Sequence, residues 1–147
     1  MPTTPPKPGK HPSIRATFLI GLEKFSTDIA NITAETKEIT ILVTDYKNSP
    51  AGPAPTTILQ RIDTLKNDHN RLKEQLNTYY VWYDQLAGRG QLKDSMFVPK
   101  KYHVTEVKGQ LRAFLEQWHA LRRERKSIEA ELNVKSEDDA DAIQATR

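Results

Sequence analysis

The sequence predicts an all-α protein, an antiparallel up-down-up three-helix bundle with coiled-coil-like heptad packing. Three observations predict it. An apolar repeat of period 3.5 runs through each of three long segments, proline and glycine cluster in the breaks between them, and alternation at period two is nowhere sustained.

The first segment carries Phe18, Leu22, Phe25, Ile29, Ile32, Thr36, Ile39, Val43 and Tyr46, with spacings of four and three in strict turn. Ser13 after Pro12 is placed to cap its start, and Asn48 to end it in the left-handed conformation. The second carries Ile58, Ile62, Leu65, His69, Leu72, Leu76, Tyr79, Tyr83 and Leu86, with Thr57 and Gln60 in capping-box spacing and Gly88 at the stop. The third carries Val104, Val107, Leu111, Phe114, Trp118, Leu121, Arg125, Ile128 and Leu132, and Thr105 is the expected cap. Helices over about 13–47, 57–87 and 104–133 follow, between a disordered proline-rich arm at 1–12 and a flexible acidic tail at 134–147. A rise of about 1.5 Å per residue makes the bundle roughly 45–50 Å long. Gly21 and Gly109 interrupt otherwise good helix formers, each at a cost of about 1 kcal/mol relative to alanine.

Composition narrows the function. The chain has no cysteine, which removes disulfides, thiolate nucleophiles and cysteine-ligated metal sites and points to an intracellular setting, cytoplasmic or nuclear. No apolar run approaches the roughly 18 residues of a membrane span. The net charge of +3 is unevenly spread, with eight basic and three acidic residues in 100–126, then two basic and six acidic in 127–147. The four histidines show no zinc spacing, Gly88-Arg89-Gly90 is too short to cradle a phosphate, and Asp138-Asp139-Ala140-Asp141 lacks the ligand pattern of a calcium loop. The expectation is a protein with no catalytic residues, metal or cofactor. The carboxylates of Glu35-Thr36-Lys37-Glu38 read as solvent-facing pairs.

Each seam has one polar interior position: Thr36, His69 and Arg125. If Tyr46 lies level with Ile58, and Val107 with Phe18 and Leu86, the three fall in one layer. Such a layer fixes register, because a slip buries each polar group without its partners.

The pattern Leu111-x-x-Phe114-x-x-x-Trp118-x-x-Leu121, followed by Arg125 and Leu132, resembles the last helix of a spectrin repeat. That resemblance spans about twenty-two residues. It implies a spacer or scaffold module that binds protein partners. The first helix departs from the family, with Phe18 and Phe25 where a tryptophan is usual.

Tyr79-Tyr80-Val81-Trp82-Tyr83 sets four aromatic residues in five positions. Tyr79 and Tyr83 lie on the seam and are expected in the core, whereas Tyr80 and Trp82 flank it by about 80° and Val81 points away. The following connection is unusually apolar, with Leu92, Met96, Phe97, Val98 and Tyr102, and is expected to fold back over Trp82 or Tyr80. The residues expected to meet a protein partner are Tyr80, Val81, Trp82, Phe97 and Val98. The chain therefore reads as a non-enzymatic protein–protein interaction module, a scaffold or adaptor subunit, with homo-oligomerisation through the helices a third route. The alternative is a nucleic-acid-associated helical protein that meets phosphates through Lys100, Lys101, Arg122, Arg123 and Lys126.

Overall fold

A computed structural model describes residues 13–49, 52 and 54–134, so the expected arm, and all of the expected tail except Val134, lie outside the described residues. The described residues form three α-helices, α1 (Ile14–Asn48), α2 (Thr56–Gly88) and α3 (Val104–Glu131), with a 3-10 turn at Lys100–Tyr102 before α3. Each helix packs against the other two. No strand occurs among the described residues.

Cross-helix contacts fix the directions. Tyr79 of α2 meets Phe18 and Phe25 of α1, while Arg61 of α2 meets Glu35 and Glu38, so these helices run antiparallel. Phe114 of α3 packs tilted against Phe25 at a centroid distance of 4.8 Å, and α3 meets His69 of α2 through Trp118 and Arg125. Helices α1 and α3 are therefore parallel, and the bundle goes up, down and up.

Every expected seam position is buried except Tyr46, Tyr79, Val104 and Leu132, which are partly buried against the same core. Leu92, Leu115, Tyr80 and Glu129 are buried as well, off the 4-3 seams. A helix with two neighbours must bury a wider face than one with a single partner, and residues beside the seam fill the difference. At about 1.5–3 kcal/mol for each large apolar side chain, this continuous core is the main stabilising contribution.

The helix ends differ from expectation in informative ways. Ser13 caps α1, its hydroxyl accepting from Ala16 N at 3.1 Å. Helix α2 starts after Pro55 without a side-chain cap, the Pro55 carbonyl accepting from Ile58 N and Leu59 N, so Thr57 and Gln60 form no capping box. Thr105 does not cap α3 either. It lies inside the helix, where its amide donates to Asp94 Oδ1 at 3.1 Å and its hydroxyl to Asp94 Oδ2, so a carboxylate eleven residues upstream does the capping. The left-handed residues that close helices are Gly90 (φ 73°) after α2 and Asn133 (φ 56°) after α3, not Asn48 or Gly88. Each is followed by an amide that reaches back five residues, Gln91 N to Leu86 O and Val134 N to Glu129 O, both at 2.9 Å, the pattern of a Schellman stop.

Glu35 and Glu38 are not simple surface pairs. Arg61 reaches across from α2 to grip Glu35 with two hydrogen bonds, 3.0 and 2.9 Å, and Glu38 with one of 3.0 Å. The fork geometry ties the α1–α2 register on the outside, as the core does on the inside.

The two interior glycines play opposite parts. Tyr79 lies across Gly21, its hydroxyl donating to the Gly21 carbonyl at 3.2 Å, and a methyl at position 21 would sit 2.8 Å from that hydroxyl. Nothing lies within 4 Å of where a methyl at Gly109 would go. Gly21→Ala is therefore expected to lower stability by about 1–2 kcal/mol, because a crowded ring and a lost hydrogen bond outweigh the gain in helix propensity. Gly109→Ala is expected to raise it by about 1 kcal/mol. Urea unfolding of both variants, with Gly21→Ala repeated in a Tyr79→Phe background, checks the assignment. Equal effects at the two glycines would refute it.

Candidate docking surface

The end of the bundle where α1 begins, α2 ends and α3 begins is closed by the 89–103 connection. Its neck is tied by Lys93 N to Tyr102 O at 3.0 Å, and Arg15 of α1 holds it from below, donating to Gln91 O at 3.3 Å with its guanidinium 3.7 Å over the Tyr102 ring. Val98 N bonds Ser95 O, Phe97 N bonds Ser95 Oγ, and His103 Nε2 donates to Val98 O at 2.8 Å. The Thr105 hydroxyl and amide that clasp Asp94 hold its carboxyl below the usual carboxylate range. Leu92 is buried, and Tyr102 packs half-buried on the core.

Between these anchors the chain turns outward. Met96 and Phe97 are 88% and 89% exposed, the two most exposed large apolar side chains among the described residues. The expected fold-back is thus only half realised: Leu92 and Tyr102 go in, whereas Met96 and Phe97 cover neither Trp82 nor Tyr80. The cause is local, since the turn at Ser95 and the proline at 99 direct the intervening residues away from the core.

The five residues expected to meet a partner separate. Tyr80 is 5% exposed and belongs to the core, a correction to its expected place beside the seam; Tyr79 is the less buried of the two. The seam forks here. Tyr79 turns to α1, edge-on to Phe18 and Phe25, and Tyr80 is buried close enough to α3 to sense Arg112. Burial raises the phenol pKa of Tyr79, Tyr80 and Tyr83 above the ordinary tyrosine value. Trp82 is half-buried, edge-on to Phe18 at 5.7 Å. Val81 is half-exposed on the outer face of α2 and Val98 partly buried, which leaves Phe97 as by far the most exposed of the five. Met96, its equally exposed neighbour, was missed; apolar character alone could not say which loop residues turn out.

The expected phosphate-binding residues form two groups. Lys100 and Lys101 are exposed at the tip end, with Lys100 Nζ 3.9 Å from Glu106 and Lys101 over the Tyr102 ring. Arg122, Arg123 and Lys126 lie about 27 Å further along α3, where Arg122 and Lys126 are partly buried and Arg123 is exposed. Burial lowers the pKa of the neighbouring His119, and Arg122 and Arg123 lower it further.

Thr36, His69 and Arg125 are each 0% exposed. Arg125 Nε donates to His69 Nδ1 at 3.0 Å, which sets the neutral imidazole with its proton on Nε2, and Arg125 also donates to Glu129 Oε2 at 3.1 Å. Trp118 Nε1 donates to the His69 carbonyl at 2.8 Å. The Thr36 hydroxyl donates to Ile32 O of its own helix at 2.8 Å, so Thr36 is buried in the core with its hydroxyl satisfied within α1. The arrangement holds helices together; buried this deeply, it offers a solute no access.

Among the described residues no group of three or more His, Asp or Glu could hold a metal ion, and no helix is long and apolar enough to cross a membrane. No family model, no curated protein and no solved structure matches the chain.

Proposed function

We propose that the protein is a non-enzymatic docking module, a scaffold or adaptor subunit whose bundle is a stiff spacer and whose contact point is the apolar tip of the 89–103 connection. The observation that carries this reading is the exposure of Met96 and Phe97 on a loop tied at its neck, base and interior. Leaving two such side chains in water forgoes about 1.5–3 kcal/mol each relative to burial. A tethered loop that still presents them has the form of an anchor, since little backbone freedom is lost when it docks. The likeness of the third helix to a spectrin repeat points the same way. The nucleic-acid alternative ranks second, because Arg125 is buried with His69 and Glu129 and the remaining cations of α3 are split between its ends.

A benzophenone amino acid placed at position 97, photolysed in cells, tests the reading, with the same probe at the exposed Glu74 of α2 as the control. The expected result is a discrete adduct, protein or lipid, from position 97 and none from 74. No adduct at 97, or the same adducts from both positions, would refute it.

A further inference from the structure

The docking reading leaves open what the tip enters, and the charges around it narrow the choice. Residues 89–103 contain Arg89, Lys93, Lys100 and Lys101 against a single acid, Asp94. Asp94 is engaged with the amide and hydroxyl of Thr105, so its charge is directed to the start of α3 and not to the tip. Lys93 and Tyr102 meet at the neck, so the exposed Lys93 on one side and Lys100 and Lys101 on the other flank Met96 and Phe97 along the chain as a basic collar, of which Lys100 also lies 3.9 Å from Glu106. Arg15 stands behind it, stacked on Tyr102.

Resting on that docking reading, we propose that the surface taken by the tip is an anionic lipid bilayer: Phe97 and Met96 enter the interfacial layer, and Lys93, Lys100 and Lys101 meet the headgroup phosphates and carboxylates. Two observations favour lipid over a protein pocket. The first is size. Two side chains offer roughly 400 Å², against about 800 Å² per partner in a stable protein interface. The second is the collar, since lysine is depleted in protein interfaces but is the residue type that draws a protein onto an anionic leaflet. A membrane needs only a shallow apolar insertion together with basic residues at headgroup level, and the tip supplies both. The position also fits, because the loop closes one end of the bundle. Insertion would leave the bundle projecting from the bilayer.

Sedimentation with vesicles of phosphatidylcholine, with and without about a quarter phosphatidylserine, tests this on the full chain. The intact protein is expected to sediment with the serine-containing vesicles and to be released by salt. Met96→Ser with Phe97→Ser should weaken binding about tenfold or more, and each of Lys93→Gln, Lys100→Gln and Lys101→Gln about fivefold. Arg123→Gln, at the far end of α3, should leave it unchanged. All these positions are exposed, so matching circular dichroism spectra are expected to show the same fold in every variant. Three results would overturn the proposal: no preference for the anionic vesicles, binding indifferent to Met96 and Phe97, or equal loss with Arg123→Gln. A protein adduct at position 97 without vesicle binding would remove the lipid and keep the docking module; absence of both would remove both.

Discussion

Arg125→Ala should lower the unfolding free energy by about 3–5 kcal/mol, a large share of the 5–15 kcal/mol that holds a domain of this size together. The side chain is fully buried, and its removal strands the Glu129 carboxylate at 3% exposure and takes the donor from His69 Nδ1. Among the described residues Glu129 Oε1 has no hydrogen-bond partner and Oε2 has Arg125, so the carboxylate draws its compensation there from Arg125. Replacing the whole group, His69→Leu with Arg125→Met and Glu129→Leu, should restore most of the loss, because an apolar layer of similar volume carries no desolvation penalty. Chemical unfolding separates these outcomes, with the exposed Arg123→Ala as reference. If Arg125→Ala unfolds no more easily than Arg123→Ala, the buried group does not hold the bundle as described. The all-apolar variant should also lose discrimination between registers, visible as a broader amide spectrum or association in light scattering.

Trp118→Ala is expected to match that effect by a different route. The indole is fully buried and donates to the His69 carbonyl, so truncation opens a cavity at the level of the polar group and costs about 3–5 kcal/mol. Trp118→Phe keeps much of the volume and loses the hydrogen bond, at a cost of about 1–2 kcal/mol. Both residues address His69, one through its carbonyl and one through its ring. The double variant Trp118→Ala, Arg125→Ala should therefore lose less than the two singles together, as sites sharing a partner do. Strict additivity in thermal or urea unfolding would argue that the two contacts are independent.

Much of this interior was legible in the sequence because heptad spacing is a local property. The seam through Phe18, Leu72 and Leu111 follows from side chains three and four residues apart, and the placing of Arg125 near His69 follows from counting along antiparallel seams. Features set by distant segments were not legible. The cap on α3 comes from Asp94, whose link to Thr105 exists only once the loop has closed. The exchange of roles between Tyr79 and Tyr80 arises because α2 faces two neighbours, and a one-dimensional seam does not say which aromatic ring turns to which helix. Gly21 reads in sequence as a helix weakness and in space as the slot for Tyr79. The tip was half visible: Phe97 was marked by its apolar character, but its exposure depends on Ser95, Pro99 and the ties at Lys93 and His103.

An odd number of helices has a mechanical consequence. The bundle receives the chain at Ser13, beside the tip, and releases it at Val134, at the opposite end. Tension between those points runs along the helix axes, so the packed layers from Phe18 to Ile128, with the Arg61 fork, must slide past one another together and cannot peel apart in sequence. An even-numbered hairpin would bring both points to one end and open like a zipper.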